Sequence, residues 1–127
     1  MKKLTFFIAA ICTIPTAAHA ENWTRMGRSS DNAMFYYDID SIRFSGSIIS
    51  IWTLIDYTPD KTRPQAYTKI FYNVNCTSQR LMPIEYIRKP IDTIEVEQTL
   101  IDPADRFSYT PQPGNVDHQV MVIACGL

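Results

Sequence analysis

Ten consecutive residues, Ile48-Ile49-Ser50-Ile51-Trp52-Thr53-Leu54-Ile55-Asp56-Tyr57, carry apolar side chains at both odd and even positions. Their β-branched and aromatic content suits an extended strand, and Ser45-Gly46-Ser47 before them and Pro59 after them are turn signals. Successive strand side chains point to opposite faces, so a strand of this composition needs cover on both. The run is therefore expected inside a sheet, with one face covered by a helix and the other by a partner chain or a ligand. The sequence leaves open which set meets the helix: Ile48, Trp52 and Leu54, or Ile49, Ile51 and Ile55.

The flanking sequence reads as further short strands without internal repeats: 22–28, 34–38, 66–75, 80–88 with a break or bulge at Pro83, and 93–101. In 66–75 the alternation puts Thr68, Ile70, Tyr72, Val74 and then Cys76 on one face, opposite Lys69, Asn73 and Asn75. In 93–101, Ile94, Val96 and Leu100 oppose Glu95 and Glu97. The segment 58–65 carries Pro59 and Pro64 among charges and reads as an exposed loop. Val116 to Cys125 fits period two through Val120, Val122 and Ala124, and a helical stripe through Val116, Val120, Ile123 and Ala124. The context favours the helix: a Pro111–Gly114 break, Asn115 as N-cap, Asp117 in the first turn and Gly126 at the end.

The first twenty residues differ from the rest. Lys2 and Lys3 precede an apolar run to Ile14, and Ala18-His19-Ala20 has the small-residue spacing of a signal-peptidase site. Residues 1–20 are thus expected to be a signal peptide and 21–127 one exported domain. Cys12 does not suit lipid attachment, because Ile11 stands where that processing needs a small residue. No later apolar run is long enough for a transmembrane segment in the mature chain.

Without the leader, ten Lys and Arg face thirteen Asp and Glu. There is neither a basic stripe nor a glycine-rich phosphate cradle, so no nucleic acid is expected as partner. The mature chain keeps Cys76 and Cys125, which allow a single intramolecular disulfide in an oxidising compartment; two buried free thiols are the competing reading. Zinc is argued against by the lack of a Cys-x-x-Cys spacing and by His118 being the only mature histidine. A helix laid on the sheet would bring Cys125 to the strand that carries Cys76 inward.

Trp23, the series Tyr36-Tyr37-Asp38-Ile39-Asp40-Ser41-Ile42, Gly46, Trp52, Asp56-Tyr57, Cys76, Pro113 and Cys125 follow one another in an order that resembles the surface-adhesin protein E family over nearly the whole mature chain. The resemblance implies an α+β fold: a small antiparallel sheet packed by a C-terminal helix, with a helix-to-sheet disulfide. It also implies binding to host matrix or serum proteins and a capacity to dimerise. The sequence departs from the namesake in lacking a lipid-anchor site and a lysine-rich surface, and the shared residues read as framework.

Catalytic and metal constellations find little support. Asp38, Asp40 and Ser41 lack the glycine and glutamate of a calcium loop and read as a self-capping turn. His118 has no marked nucleophile beside it, and Glu85, Glu95 and Glu97 read as solubilising charges rather than a glycosidase pair. The binding flavour lies in the aromatic set Tyr36, Tyr37, Trp52, Tyr57, Tyr67, Phe71 and Tyr86.

The expected function is that of an exported, non-enzymatic adhesin E-like domain, in the periplasm or at the outer-membrane surface. No cofactor and no metal are expected. The partner is a protein, host extracellular matrix included, or a second copy of the chain in a homodimer, and Trp52, Leu54 and Tyr57 are the candidate binding face. The alternative is a periplasmic accessory or inhibitor subunit of an envelope complex. N-terminal sequencing of protein recovered from its host is expected to begin at Glu21; a chain that retains Cys12 or carries lipid there would contradict the export reading.

Overall fold

The computed structural model describes residues 21–29, 32–60, 62 and 64–126, so the expected leader with Cys12 lies outside the described residues. The doubly apolar run forms β4 (Ile48–Asp56), an interior strand of one antiparallel sheet with β1 (Trp23–Arg28), β2 (Met34–Asp38), β3 (Arg43–Ser45), β5 (Gln65–Asn75), β6 (Arg80–Pro90) and β7 (Glu97–Leu100). The order across the sheet is β1-β2-β4-β5-β6-β7, with β3 beside β4. One helix, α1 (Val116–Cys125), follows.

The segments β2 and β3 share one edge of β4, and the turn between them explains how. Tyr37 is the last β2 residue to pair with β4, opposite Thr53, and pairing resumes with Arg43 opposite Ser50. The chain bulges out between them in a short 3-10 turn, Ile39–Ser41. The Ser41 hydroxyl stands in for the missing strand: its Oγ accepts the Trp52 N–H at 2.9 Å and donates to the Asp38 carbonyl at 2.7 Å. Asp38 is 1% exposed, and its Oδ1 accepts from the backbone N–H groups of Asn22 and Asp40. The buried carboxylate thus satisfies two backbone donors, as a self-capping turn requires.

Alternation decides which face is dry. In β5 every even residue from Ala66 to Val74 is buried, and in β4 the buried set is Ile49, Ile51 and Thr53. The helix therefore packs on the Ile49, Ile51 and Ile55 side of β4. Val120, Met121 and Ala124 of α1 meet Ile51, Val74 and Leu81, and Ile51, Val74 and Leu81 are each 0% exposed. Met121 replaces Ile123 in the expected stripe, since Ile123 is only partly buried. Asn115 is the N-cap by backbone position without a side-chain capping bond, and Gly126 closes the helix at φ 67, a left-handed conformation that suits glycine.

Two expected strands change shape. The break at Pro83 is a bulge in β6: Glu85 opposes Phe71 and Pro83 opposes Tyr72, leaving Ile84 as the extra residue. The expected strand 93–101 shrinks to β7, whose four residues are all exposed. Ile94 is 93% exposed and Leu100 64% exposed, so that segment has no buried face.

The helix is tied to the sheet in two further ways. Cys76, just past β5, is bonded to Cys125, the last residue of α1, with their Cα atoms 5.5 Å apart. Nearer the start of the helix, Tyr109 pairs by its backbone with Leu81, and its phenol interacts with the Asp117 carboxylate and the Tyr72 phenol. Burial pushes the Tyr72 phenol well above its usual pKa of 10, and the neighbouring Tyr109, Tyr86 and Asp117 add to the shift. Burial and then the hydrogen bond to Asp117 raise Tyr109 as well. Because the unfolded phenols lose their protons first, this contribution to stability is full below the unfolded value of about 10 and is lost progressively as pH rises from there towards the raised folded values.

Two outcomes follow. Replacing both cysteines by alanine should lower the unfolding free energy by about 4 kcal/mol, because the bond closes a loop with a sequence separation of 49; urea denaturation measures the change, and an unaltered midpoint would contradict it. Stability measured the same way should decline above about pH 10, and Tyr72→Phe should flatten that decline. An equally steep decline in the variant would place its cause elsewhere.

Candidate binding face

The sheet face turned away from α1 carries the even residues of β4 and their neighbours across the strands. Trp52 lies opposite Phe71, Leu54 opposite Lys69, and Asp56 opposite Tyr67, while Tyr36 of β2 lies opposite Leu54 on its other side. Among the described residues no helix covers this face; α1 meets β4, β5 and β6 from the opposite side. Its apolar residues are half-buried by packing on one another: the rings of Trp52 and Phe71 are 5.0 Å apart and tilted by 34°. Such tilted contacts add roughly 0.5–1.5 kcal/mol beyond the area they bury.

The centre of the face is Lys69. Its Nζ lies 2.6 Å from Glu21 Oε1 and 5.5 Å from the ring centres of both Trp23 and Tyr67. The Trp23 indole N–H in turn donates to the other carboxylate oxygen of Glu21 at 3.0 Å. Glu21 is 43% exposed, so the ion pair contributes little to stability through solvent screening, on the order of 0–1 kcal/mol. Its effect is positional, holding the ammonium between two rings. Two shallow clefts flank this arrangement. One, of about 200 Å³, lies among Trp23, Asp38, Trp52, Lys69 and Ile87. The other, of about 420 Å³, lies among Trp23, Leu54, Asp56, Thr58, Tyr67 and Lys69.

Trp52 and Leu54 thus share the open face. Tyr57 stands apart from them: it follows β4 by one residue, donates its backbone N–H to the Ala66 carbonyl and is half-buried. The aromatic set divides, with Tyr36, Trp52, Tyr67 and Phe71 on the open side and Tyr37 and Tyr86 packed against the core. Trp23, Lys69 and Glu21 join the site although Lys69 and Glu21 are 48 residues apart. The alternation that placed Lys69 opposite the apolar set was the one available signal for it.

The acidic candidates do not converge. Glu85 lies on the open side, hydrogen-bonded to Gln98, whereas Glu97 lies opposite Arg88 on the helix side. Among the described residues, no cluster of three or more His, Cys, Asp or Glu side chains is arranged to hold a metal ion, and no helix is long and apolar enough to cross a membrane.

Comparison with known proteins gives one consistent result. The family model for surface-adhesin protein E matches residues 23–126. No curated protein sequence matches with significance. Among solved structures, that of Haemophilus influenzae protein E is similar with a TM-score of 0.57 and 14% identity, over 88% of this chain and 89% of that one. A second crystal form of the same protein gives 0.54 and 14% identity over 78% and 85%. At that identity these structures bear on the fold, and they bear out the sheet with its C-terminal helix.

Proposed function

Since the chain belongs to the surface-adhesin protein E family, we propose that it is an exported, non-enzymatic binding domain that recognises a protein at the cell envelope through the sheet face opposite its helix. The observation that carries this reading is the unequal treatment of the two faces of β4. Ile49 and Ile51 are sealed beneath α1 and Thr53 is buried on the same side, while Trp52, Leu54, Phe71, Tyr67 and Trp23 lie without such cover around a held ammonium. Tyr and Trp are favoured where a surface alternates between wet and docked, since a rigid ring buries much area at a small entropy cost. A docked protein would bury the Trp52–Phe71 pair and set an acidic or carbonyl group against Lys69.

Host matrix protein is the partner class this reading favours, because the family is one of surface adhesins and an adhesin at a cell surface meets host molecules first. A second copy of the chain meeting face to face is the competing occupant. Tyr57, beyond the end of β4, belongs to the rim of the same surface in this reading.

The Trp52→Ala domain should keep its fold, because Trp52 is only half-buried and the helix-side core does not include it. Its capture of immobilised matrix proteins should weaken by about tenfold or more, the loss expected when an aromatic anchor worth about 2 kcal/mol is truncated. Sedimentation of the same variant separates the occupants, since a falling mass would assign the face to self-association. Circular dichroism showing a folded variant with unchanged mass and unchanged capture would overturn the proposal. Protease shaving of intact cells tests display, because a domain at the outer surface is cut and a periplasmic one is not.

A further inference from the structure

At the far end of the open face, away from Lys69, two adjacent rungs of the sheet form a separate cleft of about 290 Å³. One rung is Ile48, Asn75 and Arg80, and the next is Ser50, Asn73 and Met82. Ile48 and Met82 supply apolar walls, and Ser78 and Ser108 stand at the rim. Among the described residues lining the cleft, Arg80 is the only charged one and none carries a carboxylate to oppose an anion.

The Arg80 guanidinium is held in place from one side. Its Nε donates to Ser108 Oγ at 2.9 Å and one Nη2 N–H donates to the Ser108 carbonyl at 2.7 Å. Ser108 is itself fixed, because the adjacent Tyr109 pairs with Leu81 through two backbone hydrogen bonds. Two of the five guanidinium N–H groups are thereby used to orient the plane. Those on Nη1 and the second on Nη2 have no partner among the described residues, and neither has the Asn73 side-chain amide. The Asn75 amide oxygen, by contrast, is spent on the N–H groups of Thr77 and Ser78 in the β5–β6 turn.

A planar fork fixed in advance suits a planar anion, since two parallel N–H bonds to a carboxylate lose little further entropy. An amide free to donate and accept suits the peptide group next to that carboxylate. Two aliphatic or thioether walls suit a short apolar side chain, and Met adapts to its shape. A sugar acid would set hydroxyls against Ile48 and Met82 with nothing there to bond them, and inorganic phosphate would leave both walls unused. The volume lies at the lower end of the roughly 300–1,000 Å³ of small-molecule sites, room for one residue rather than a long segment.

We propose that this cleft binds the C-terminal carboxylate of a peptide whose last residue is aliphatic, with Arg80 on the carboxylate, Asn73 on the preceding peptide group, and Ile48 and Met82 around the side chain. Its lining shares no residue with the Trp52 and Lys69 clefts, so it stands or falls separately from the matrix-binding reading.

The test is an NMR titration of the folded domain, labelled with nitrogen-15, with N-acetyl-glycyl-leucine as the free acid, the same peptide as its C-terminal amide, glucuronate and inorganic phosphate. The free acid alone should shift the backbone signals of Asn73, Asn75, Ser78 and Met82 saturably. Arg80→Gln should weaken that binding by about tenfold or more, as expected for losing charge-assisted hydrogen bonds. Asn73→Asp, nearly unchanged in shape, should abolish it by setting a negative charge beside the ligand. No saturable shift with the free acid would overturn the proposal, as would equal binding of the amide, glucuronate or phosphate, or an Arg80→Gln spectrum that is native and titrates unchanged.

Discussion

A ten-residue helix is about 15 Å long, whereas six strands side by side span about 24 Å. One such helix therefore covers part of one sheet face, and α1 packs most closely on β4, β5 and β6. Much of the remaining structure follows from that shortage of cover. The helix is fastened at its C-terminal end by Cys125 to Cys76 and near its start by Asp117 to Tyr109. The segment that leads into it adds a bridge from Tyr109 to Leu81, on the same edge of β6 that β7 uses further along. These ties hold the short helix over the three strands that carry Ile51, Val74 and Leu81, the most deeply buried apolar residues of the sheet.

With the helix committed to one face, the other acquires a different character. Its rings are shielded by each other and by Lys69, which leaves them half-buried and accessible. The sheet edges are defended against pairing with other chains: β1 carries a bulge between Arg25 and Gly27, and β7 is only four residues long. The edges thus resist strand addition, whereas the face opposite α1 keeps half-buried rings within reach of solvent. The series from Tyr36 to Ile42 that most resembles the family serves the scaffold instead. It builds the turn in which Asp38 gathers two backbone N–H groups and Ser41 replaces a strand partner for Trp52. That explains why a family likeness carried by those residues speaks for the fold and not for the ligand.

The fold was legible where a local pattern and a long-range demand agreed. In β5 the period-two alternation read from the residues is the alternation of burial, and Cys76 continues it to the point where Cys125 arrives; in β4, apolar on both faces, the sequence left open which set the helix covers, and it is the Ile49 and Ile51 set. The helix was readable from its break, first turn and final glycine, although its buried stripe turns on Met121 rather than Ile123. The segment 93–101 shows the opposite case. Alternation of Ile94, Val96 and Leu100 with glutamates imitates a half-buried strand, but an edge position with nothing packed on it leaves those residues in solvent. Contacts between distant residues were the hidden part: Lys69 with Glu21 is 48 residues apart and Arg80 with Ser108 is 28, and no local period reports such pairs.

In the isolated domain one sheet face is sealed and the other open. Hydroxyl-radical footprinting of the disulfide-bonded monomer reads that difference directly, because side-chain oxidation follows solvent access. Trp52, Leu54, Phe71 and Trp23 should be oxidised readily, while Ile51, Val74, Leu81, Val120 and Met121 stay protected although Met is intrinsically the more reactive residue. Equal protection of Trp52 and Met121 in a verified monomer, or ready oxidation of Met121, would contradict it.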